Sequence, residues 1–121
     1  MPKTILTVDD SRTMREMLKA ALTDAGLDVF QAEDGVHGLE VLSTCEPDVI
    51  ITDINMPRMD GYGFIEAVRN SSEHRAIPIL VLTTESTDDK KDRARRAGAS
   101  GWIIKPFDPV KLLAAINRVA A

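Results

Sequence analysis

Short strand-like segments, most of them apolar almost throughout, alternate with longer amphipathic stretches along this chain. The strongest cover residues 4–8, 48–52 and 78–83, and weaker ones cover 28–32 and 101–104. Strands that are apolar at consecutive positions, rather than at every second one, are typical of a parallel sheet covered on both faces. Their alternation with helices predicts an α/β fold.

Five helices are predicted from apolar spacings of three and four residues and from capping residues. The first runs from the N-cap Ser11 to Gly26, and the others begin near residue 34, after 61, at 87 and at 108. The predicted apolar face of the first helix consists of Met14, Met17, Leu18, Ala21 and Leu22. Right-handed crossovers then give an open, doubly wound sheet. For five parallel strands in 121 residues we expect the known order 2-1-3-4-5, since a closed α/β barrel needs about 250 residues.

Length and charge restrict the class of protein. With 121 residues and a net charge of −4, we expect a single domain over residues 1–121, without an output domain, that does not bind nucleic acid. Cys45 is the only cysteine, which fits a reducing compartment. The N-terminal residues do not resemble a signal peptide, and no apolar run approaches the roughly 20 residues that span a bilayer. We therefore expect a cytoplasmic monomer that makes no membrane contact.

Polar residues stand where the predicted strands end. Asp9 and Asp10 follow the first strand, Asp53 the third, Thr83 ends the fourth, and Lys105 follows the fifth. In an open α/β sheet the carboxyl ends of the strands form the ligand-binding edge, so these side chains are expected to converge. Taken singly, each has an ordinary alternative role in capping helices, forming turns or facing solvent.

The residue types suit phosphoryl transfer. Three carboxylates without sulfur or imidazole favour Mg²⁺ or Mn²⁺. An aspartate can attack phosphorus and form an acyl phosphate. Lys105 and the cation would neutralise the phosphoryl oxygens, and the hydroxyl of Thr83 would donate to one of them.

Four stretches resemble response-regulator receiver domains: VDDS (8–11), DINMPRMDG (53–61), LTT (82–84) and KPF (105–107). The resemblance covers the whole chain and is strongest to single-domain chemotaxis regulators of the CheY type. It implies that Asp53 accepts phosphate from a histidine kinase and that the protein is a signalling switch rather than a conventional enzyme. It also implies direct metal contacts from Asp10 and Asp53, one through water from Asp9, and one from the backbone carbonyl of Asn55.

The resemblance also implies a switch in which Thr83 is coupled to an aromatic side chain that turns inward on phosphorylation. That aromatic residue is usually tyrosine or phenylalanine, and here it is Trp102. A tryptophan is bulkier, so two interpretations stay open, a switch residue and a fixed core or interface residue. Thr84 is larger than the residue often found there and would narrow access to Asp53.

A partner surface is predicted on the fourth helix, fifth strand and fifth helix. Its residues are Lys90, Lys91, Arg95, Trp102 and Lys111, which together suit an acidic peptide. The alternative is a solvated charged face.

Three other functional questions stay open at this stage. A receiver of this type either binds the flagellar motor switch, with a phosphatase as a further partner, or acts as a phosphate sink. An aspartate-nucleophile phosphatase of another α/β fold would need an acid where Asn55 stands. A flavodoxin-type carrier would need a donor-rich loop where the acidic VDDSRT lies.

Overall fold

The computed structural model describes residues 3–120 as five strands and five helices in strict alternation. All strands are parallel, in the order β2-β1-β3-β4-β5, so the predicted fold class is confirmed. The elements are β1 (Thr4–Val8), α1 (Arg12–Asp24), β2 (Asp28–Ala32), α2 (Gly35–Cys45), β3 (Val49–Thr52), α3 (Gly61–Asn70), β4 (Ile79–Thr83), α4 (Asp88–Ala97), β5 (Gly101–Ile104) and α5 (Pro109–Ala120).

Side-chain caps fix where four of the helices begin, and at α5 the cap is Asp108, whose Oδ1 accepts the amide of Val110. Ser11, Asp34 and Asp60 each accept a hydrogen bond from a backbone amide in the first turn of α1, α2 and α3, which satisfies a donor that the helix itself leaves free. Thr87, at the start of α4, makes no such side-chain bond. Strands β3 and β4 begin one residue later than the sequence pattern suggested, at Val49 and Ile79.

Two apolar cores flank the sheet, because consecutive strand residues point to opposite faces. One contains Leu6, Ile50 and Val81 and packs against α2, α3 and α4. The other contains Ile51 and Leu82 and packs against α1 and α5. The three central strands therefore bury both faces, which is why they are apolar at consecutive positions.

Two residues of the predicted apolar face of α1, Met17 and Ala21, lie outside these clusters. Met17 is 47% exposed, whereas Leu18 and Leu22 on the same helix are buried. The prediction for Met17 is wrong, because the face that α1 turns to the sheet is narrower than the spacing suggested.

The strand register sets the geometry of the ligand edge. Val8 pairs with Thr52 and Thr83 pairs with Ile104, so the residues that follow these strands emerge beside one another. None of the helices within residues 3–120 is long and apolar enough to cross a membrane.

Candidate active site

Three carboxylates meet at the carboxyl edge of the sheet. Asp9 and Asp10 follow β1 and Asp53 follows β3, and one oxygen from each lies within 4.8 Å of the other two. Asp9 and Asp53 are buried, whereas Asp10 is exposed. The convergence that strand order predicted for these acids is therefore present.

Lys105 joins the two buried acids. Its Nζ lies 2.9 Å from Oδ2 of Asp9 and 2.8 Å from Oδ2 of Asp53, and only 12% of its side chain is exposed. Its backbone amide donates to the carbonyl of Thr83, which places the lysine beside the end of β4. Three acids and one lysine leave a net negative charge for a cation to balance.

The ionisation of the site reflects burial and crowding. Burial raises the pKa of Asp9 above its ordinary value, although hydrogen bonds from Lys105 and from the Ser11 amide oppose the rise. Burial by itself would lower the pKa of Lys105, but its hydrogen bonds to Asp53 and Asp9 outweigh burial and the pKa is raised. Lys105 therefore stays charged at neutral pH.

The backbone fixes Asp53 in place. Its amide donates to the Val8 carbonyl, and its Oδ1 accepts the amide of Ile54 at 2.6 Å. Gly61 packs so closely that a Cβ there would meet the carbonyl of Asp53 and the Cα of Ile54. The glycine of the MDG sequence is thus required by the close approach of two backbone segments.

Thr83 and Asn55 also lie at the carboxyl edge of the sheet, and both contact Glu85. Thr83 is fully buried, and its hydroxyl faces the amide of Glu85 at 3.4 Å. Asn55 is exposed and donates through Nδ2 to Oε1 of Glu85 at 2.9 Å. The sequence placed both residues near the site, but it did not indicate that Glu85 contacts each of them.

Glu85 makes two further contacts, with Lys90 and with Trp102, that were not predicted from the sequence. Nζ of Lys90 lies 2.6 Å from its Oε2, and the hydrogen bonds from Lys90 and Asn55 lower the pKa of Glu85. The indole Nε1 of Trp102 donates to its backbone oxygen at 3.1 Å. The sequence predicts that Glu85 and Asn55 flank the site and position or block an attacking water. The pairing of Glu85 with Lys90 was not predicted, because the sequence does not specify the path of the loop between β4 and α4.

The residues predicted to form one partner surface lie at three separate places in the structure. Lys91, Arg95 and Trp102 line one groove between α4 and β5. Trp102 and Lys111 line another groove between β5 and α5. Lys90 lines neither of these grooves, since its ammonium group is paired with Glu85 beside the candidate active site.

The acidic cluster fits a hard divalent cation. Oxygen ligands held at about 2.1 Å from Mg²⁺ lie roughly 3–4 Å apart, so three oxygens within 4.8 Å of one another need little movement to share an ion. The cluster offers carboxylate oxygens only, which excludes a typical zinc set of sulfur and imidazole.

Known proteins share this architecture. The response regulator receiver domain model matches residues 5–117. The chain is 42% identical to the chemotaxis protein CheY1 of Helicobacter pylori over 107 residues, which is 87% of this chain and 86% of that protein. It superposes on the chemotaxis protein CheY4 of Vibrio cholerae with a TM-score of 0.94 and 44% identity, over 98% of this chain and 99% of that one.

A third relative carries a metal. It is the receiver domain of a sensor histidine kinase from Pseudomonas aeruginosa, with a TM-score of 0.91 and 25% identity over 99% of this chain and 98% of that one. Its structure holds a magnesium ion coordinated in the active-site cleft. The parallel fold, the acidic edge with its lysine and these matches lead to one conclusion: the chain belongs to the response regulator receiver domain family.

Proposed function

We propose that this protein is a phosphorylation-dependent switch of a two-component system in which Asp53 accepts the phosphoryl group of a histidine kinase. The observation that carries the proposal is the contact of one lysine with two buried acids, with Nζ of Lys105 at 2.8 Å from Asp53 and 2.9 Å from Asp9. Such a set holds a nucleophilic carboxylate beside the positive charge that phosphoryl transfer needs.

The transfer is an in-line displacement. A carboxylate oxygen of Asp53 forms a bond to phosphorus while the bond between phosphorus and the donor's imidazole nitrogen breaks, and the imidazole keeps the electron pair. Lys105 stays charged and neutralises a phosphoryl oxygen. Thr83 turns its hydroxyl toward a second phosphoryl oxygen. Because the side chain of Thr83 is buried, this requires the loop after β4 to move.

Magnesium is the cofactor proposed for this step. Asp10, Asp53 and the backbone carbonyl of Asn55 would hold it directly, and Asp9 would do so through water. When bound, the ion supplies charge neutralisation to the transferring group. The support in this chain is the all-carboxylate cluster and the negative charge that Lys105 leaves unbalanced.

The output proposed for the switch is a protein contact in chemotaxis. The similarity to the chemotaxis protein CheY1 of Helicobacter pylori over 87% of this chain supports binding to a flagellar motor switch protein, with a phosphatase as a second partner. Movement of Trp102 would break its hydrogen bond to the Glu85 carbonyl, at a cost of about 1 kcal/mol. That cost is small enough for phosphorylation to supply.

Intact-mass analysis tests the phosphoacceptor. After incubation with acetyl phosphate and Mg²⁺, the wild-type protein should gain one phosphoryl group, and EDTA should abolish the gain. Asp53→Asn should gain none. Asp28→Asn, which removes an exposed carboxylate at the start of β2, should gain as much as the wild type. A gain that survives Asp53→Asn would place the acceptor elsewhere.

A binding measurement separates a motor effector from a phosphate sink. Phosphorylated protein should bind the motor switch protein of the same organism, and Lys91→Glu with Arg95→Glu should weaken that binding at least tenfold. Lys19→Glu on α1 is the matched control for a charge reversal away from the groove. Rapid phosphorylation without any binding would support the sink.

A further inference from the structure

The loop between β3 and α3 contains an arginine with an unusual backbone conformation. Arg58 has a φ of 65°, in the left-handed region that a residue with a Cβ seldom adopts. Such a conformation persists where the surrounding structure over-determines it. Arg58 lies three residues after Asn55, in the loop that follows Asp53, so the contacts that hold it also act on the loop beside the acidic cluster.

The contacts of Arg58 come from the start of α2. Its Nε donates to Oδ2 of Asp34 at 2.8 Å, and its Nη2 donates to Oδ1 at 3.0 Å. The side chain of Asp34 is 4% exposed and that of Arg58 is 53% exposed, so the guanidinium covers a buried acid. A bidentate pair of this kind fixes orientation as well as distance.

Asp34 is itself held in place by the beginning of the helix. Its Oδ1 also accepts the amide of His37 at 2.9 Å. The amide of Gly35 donates to the carbonyl of Met59 at 3.1 Å, and a Cβ on Gly35 would meet that same carbonyl. Arg58 and Met59 are therefore attached to α2 by a side-chain pair and by a backbone hydrogen bond.

The part of the loop nearest to Asp53 has few contacts of its own. The carbonyl of Asn55 accepts no hydrogen bond from residues 3–120, and its side chain is exposed. The carbonyl of Ile54 accepts the amide of Gly61 at 2.8 Å, which closes the loop at its base. The direction of the Asn55 carbonyl therefore depends on where the far side of the loop is fixed, which is at Arg58.

We propose that Arg58, paired with Asp34, is a positioning residue for the divalent cation. The pair keeps the Asn55 carbonyl available to the ion, and it touches neither the ion nor the phosphoryl group. The proposal rests on the magnesium site proposed above, in which that carbonyl is a ligand. It extends the support of that site to the start of α2, which contributes nothing to the acidic cluster itself.

The charges of Arg58 and Asp34 allow positioning to be separated from simple electrostatics. Arg58→Gln removes a positive charge and Asp34→Asn a negative one, and asparagine can still cap α2. Acting through charge alone, the first change would tighten Mg²⁺ binding and the second would weaken it. Acting through position, both changes weaken it, because either one breaks the bidentate contact. Loss of a group that orients a metal ligand weakens metal binding about 10- to 100-fold, and for a residue that acts from farther along the loop we expect about three- to tenfold.

Isothermal titration calorimetry with MgCl₂, at neutral pH and constant ionic strength, tests the proposal. Arg58→Gln and Asp34→Asn should each bind Mg²⁺ about three- to tenfold more weakly than the wild type. The double variant should bind no more weakly than the weaker single one, since the two residues act as a unit. Arg75→Gln, the same substitution at an exposed arginine between α3 and β4, is the matched control and should leave the affinity unchanged.

Unchanged or tighter binding by Arg58→Gln, additive losses in the double variant, or an equal loss in Arg75→Gln would overturn the inference. Circular dichroism at the titration temperature checks that each variant is folded. Arg58→Gly removes the same contact but relieves the strain of a positive φ, so it keeps the test decisive if Arg58→Gln unfolds, and it should also bind Mg²⁺ more weakly. If the wild type takes up no Mg²⁺, the proposed magnesium site fails together with this inference; if it does and Arg58→Gln binds equally well, only the inference fails.

Discussion

Replacing Asp10 with asparagine should make the metal-free protein more stable, although it removes a proposed metal ligand. Asp10 is exposed, and its carboxylate makes no hydrogen bond or ion pair among the contacts of residues 3–120. It faces Asp9 and Asp53, and Lys105 contacts those two acids rather than Asp10. Asparagine keeps the size of the side chain and removes only the charge.

The magnitude follows from the distances in the cluster. At the 4.8 Å limit, two unit charges repel by about 3.5 kcal/mol at an effective dielectric of 20 and by about 0.9 kcal/mol in bulk water. Asp10 faces two such charges, but the ammonium group of Lys105 beside them offsets about one, and the exposure of Asp10 places the remaining repulsion near the lower value. We therefore expect the free energy of unfolding to rise by about 1 kcal/mol.

Urea unfolding with EDTA and with excess Mg²⁺ measures both halves of the prediction. In EDTA, Asp10→Asn should have the higher midpoint, with an unchanged dependence on urea. Mg²⁺ at 100 times its dissociation constant should stabilise the wild type by about 2.7 kcal/mol and the variant by much less. Asp28→Asn should respond to Mg²⁺ as the wild type does. A variant less stable than the wild type in EDTA, or one that gains as much from Mg²⁺, would refute the reasoning.

Three further predictions concern other contacts of the site and its loop. Gly61→Ala should lower the free energy of unfolding by about 1–3 kcal/mol, because its Cβ would meet the backbone of Asp53; an unchanged urea midpoint would contradict this. Arg58→Gln removes the guanidinium that holds the pKa of Asp34 below its ordinary 3.8. The variant should therefore be less stable than the wild type at neutral pH, and the difference in unfolding free energy should shrink as the pH falls below about 4. An equal difference at pH 7 and at pH 3 would argue against the ion pair. Lys105→Met removes two charge-assisted hydrogen bonds, so in EDTA the free energy of unfolding should fall by about 1–3 kcal/mol. Calorimetry should show that the variant binds Mg²⁺ more tightly than the wild type, because a competing cation is gone. Weaker Mg²⁺ binding would contradict that view.

The central part of the fold could be read from the sequence because its signals are local. Strands β1, β3 and β4 are buried on both faces, and a run of apolar residues records that burial directly. The caps at Ser11, Asp34 and Asp60 are equally local, since each side chain bonds an amide three residues away. The convergence of Asp9, Asp53 and Lys105 then follows from strand order alone.

Other features were beyond the sequence because they depend on paths and orientations. The contact between Lys90 and Glu85 depends on how the loop between β4 and α4 folds back, and a lysine on a highly charged helix is usually solvated. Met17 has the spacing of a core residue, yet it lies at the margin of the face that α1 buries. The pairing of Arg58 with Asp34 joins residues 24 positions apart, and no periodic pattern relates them.

The proposed phosphorylation of Asp53 is tested most directly by identifying the residue that carries the phosphoryl group. Borohydride reduces an acyl phosphate to an alcohol, so treatment after incubation with acetyl phosphate and Mg²⁺ should convert residue 53 to homoserine, detectable by sequencing the peptide in a mass spectrometer. The account predicts homoserine at position 53 and at no other aspartate, with none formed in EDTA. Homoserine at another position, or at position 53 to the same extent without a divalent cation, would contradict it.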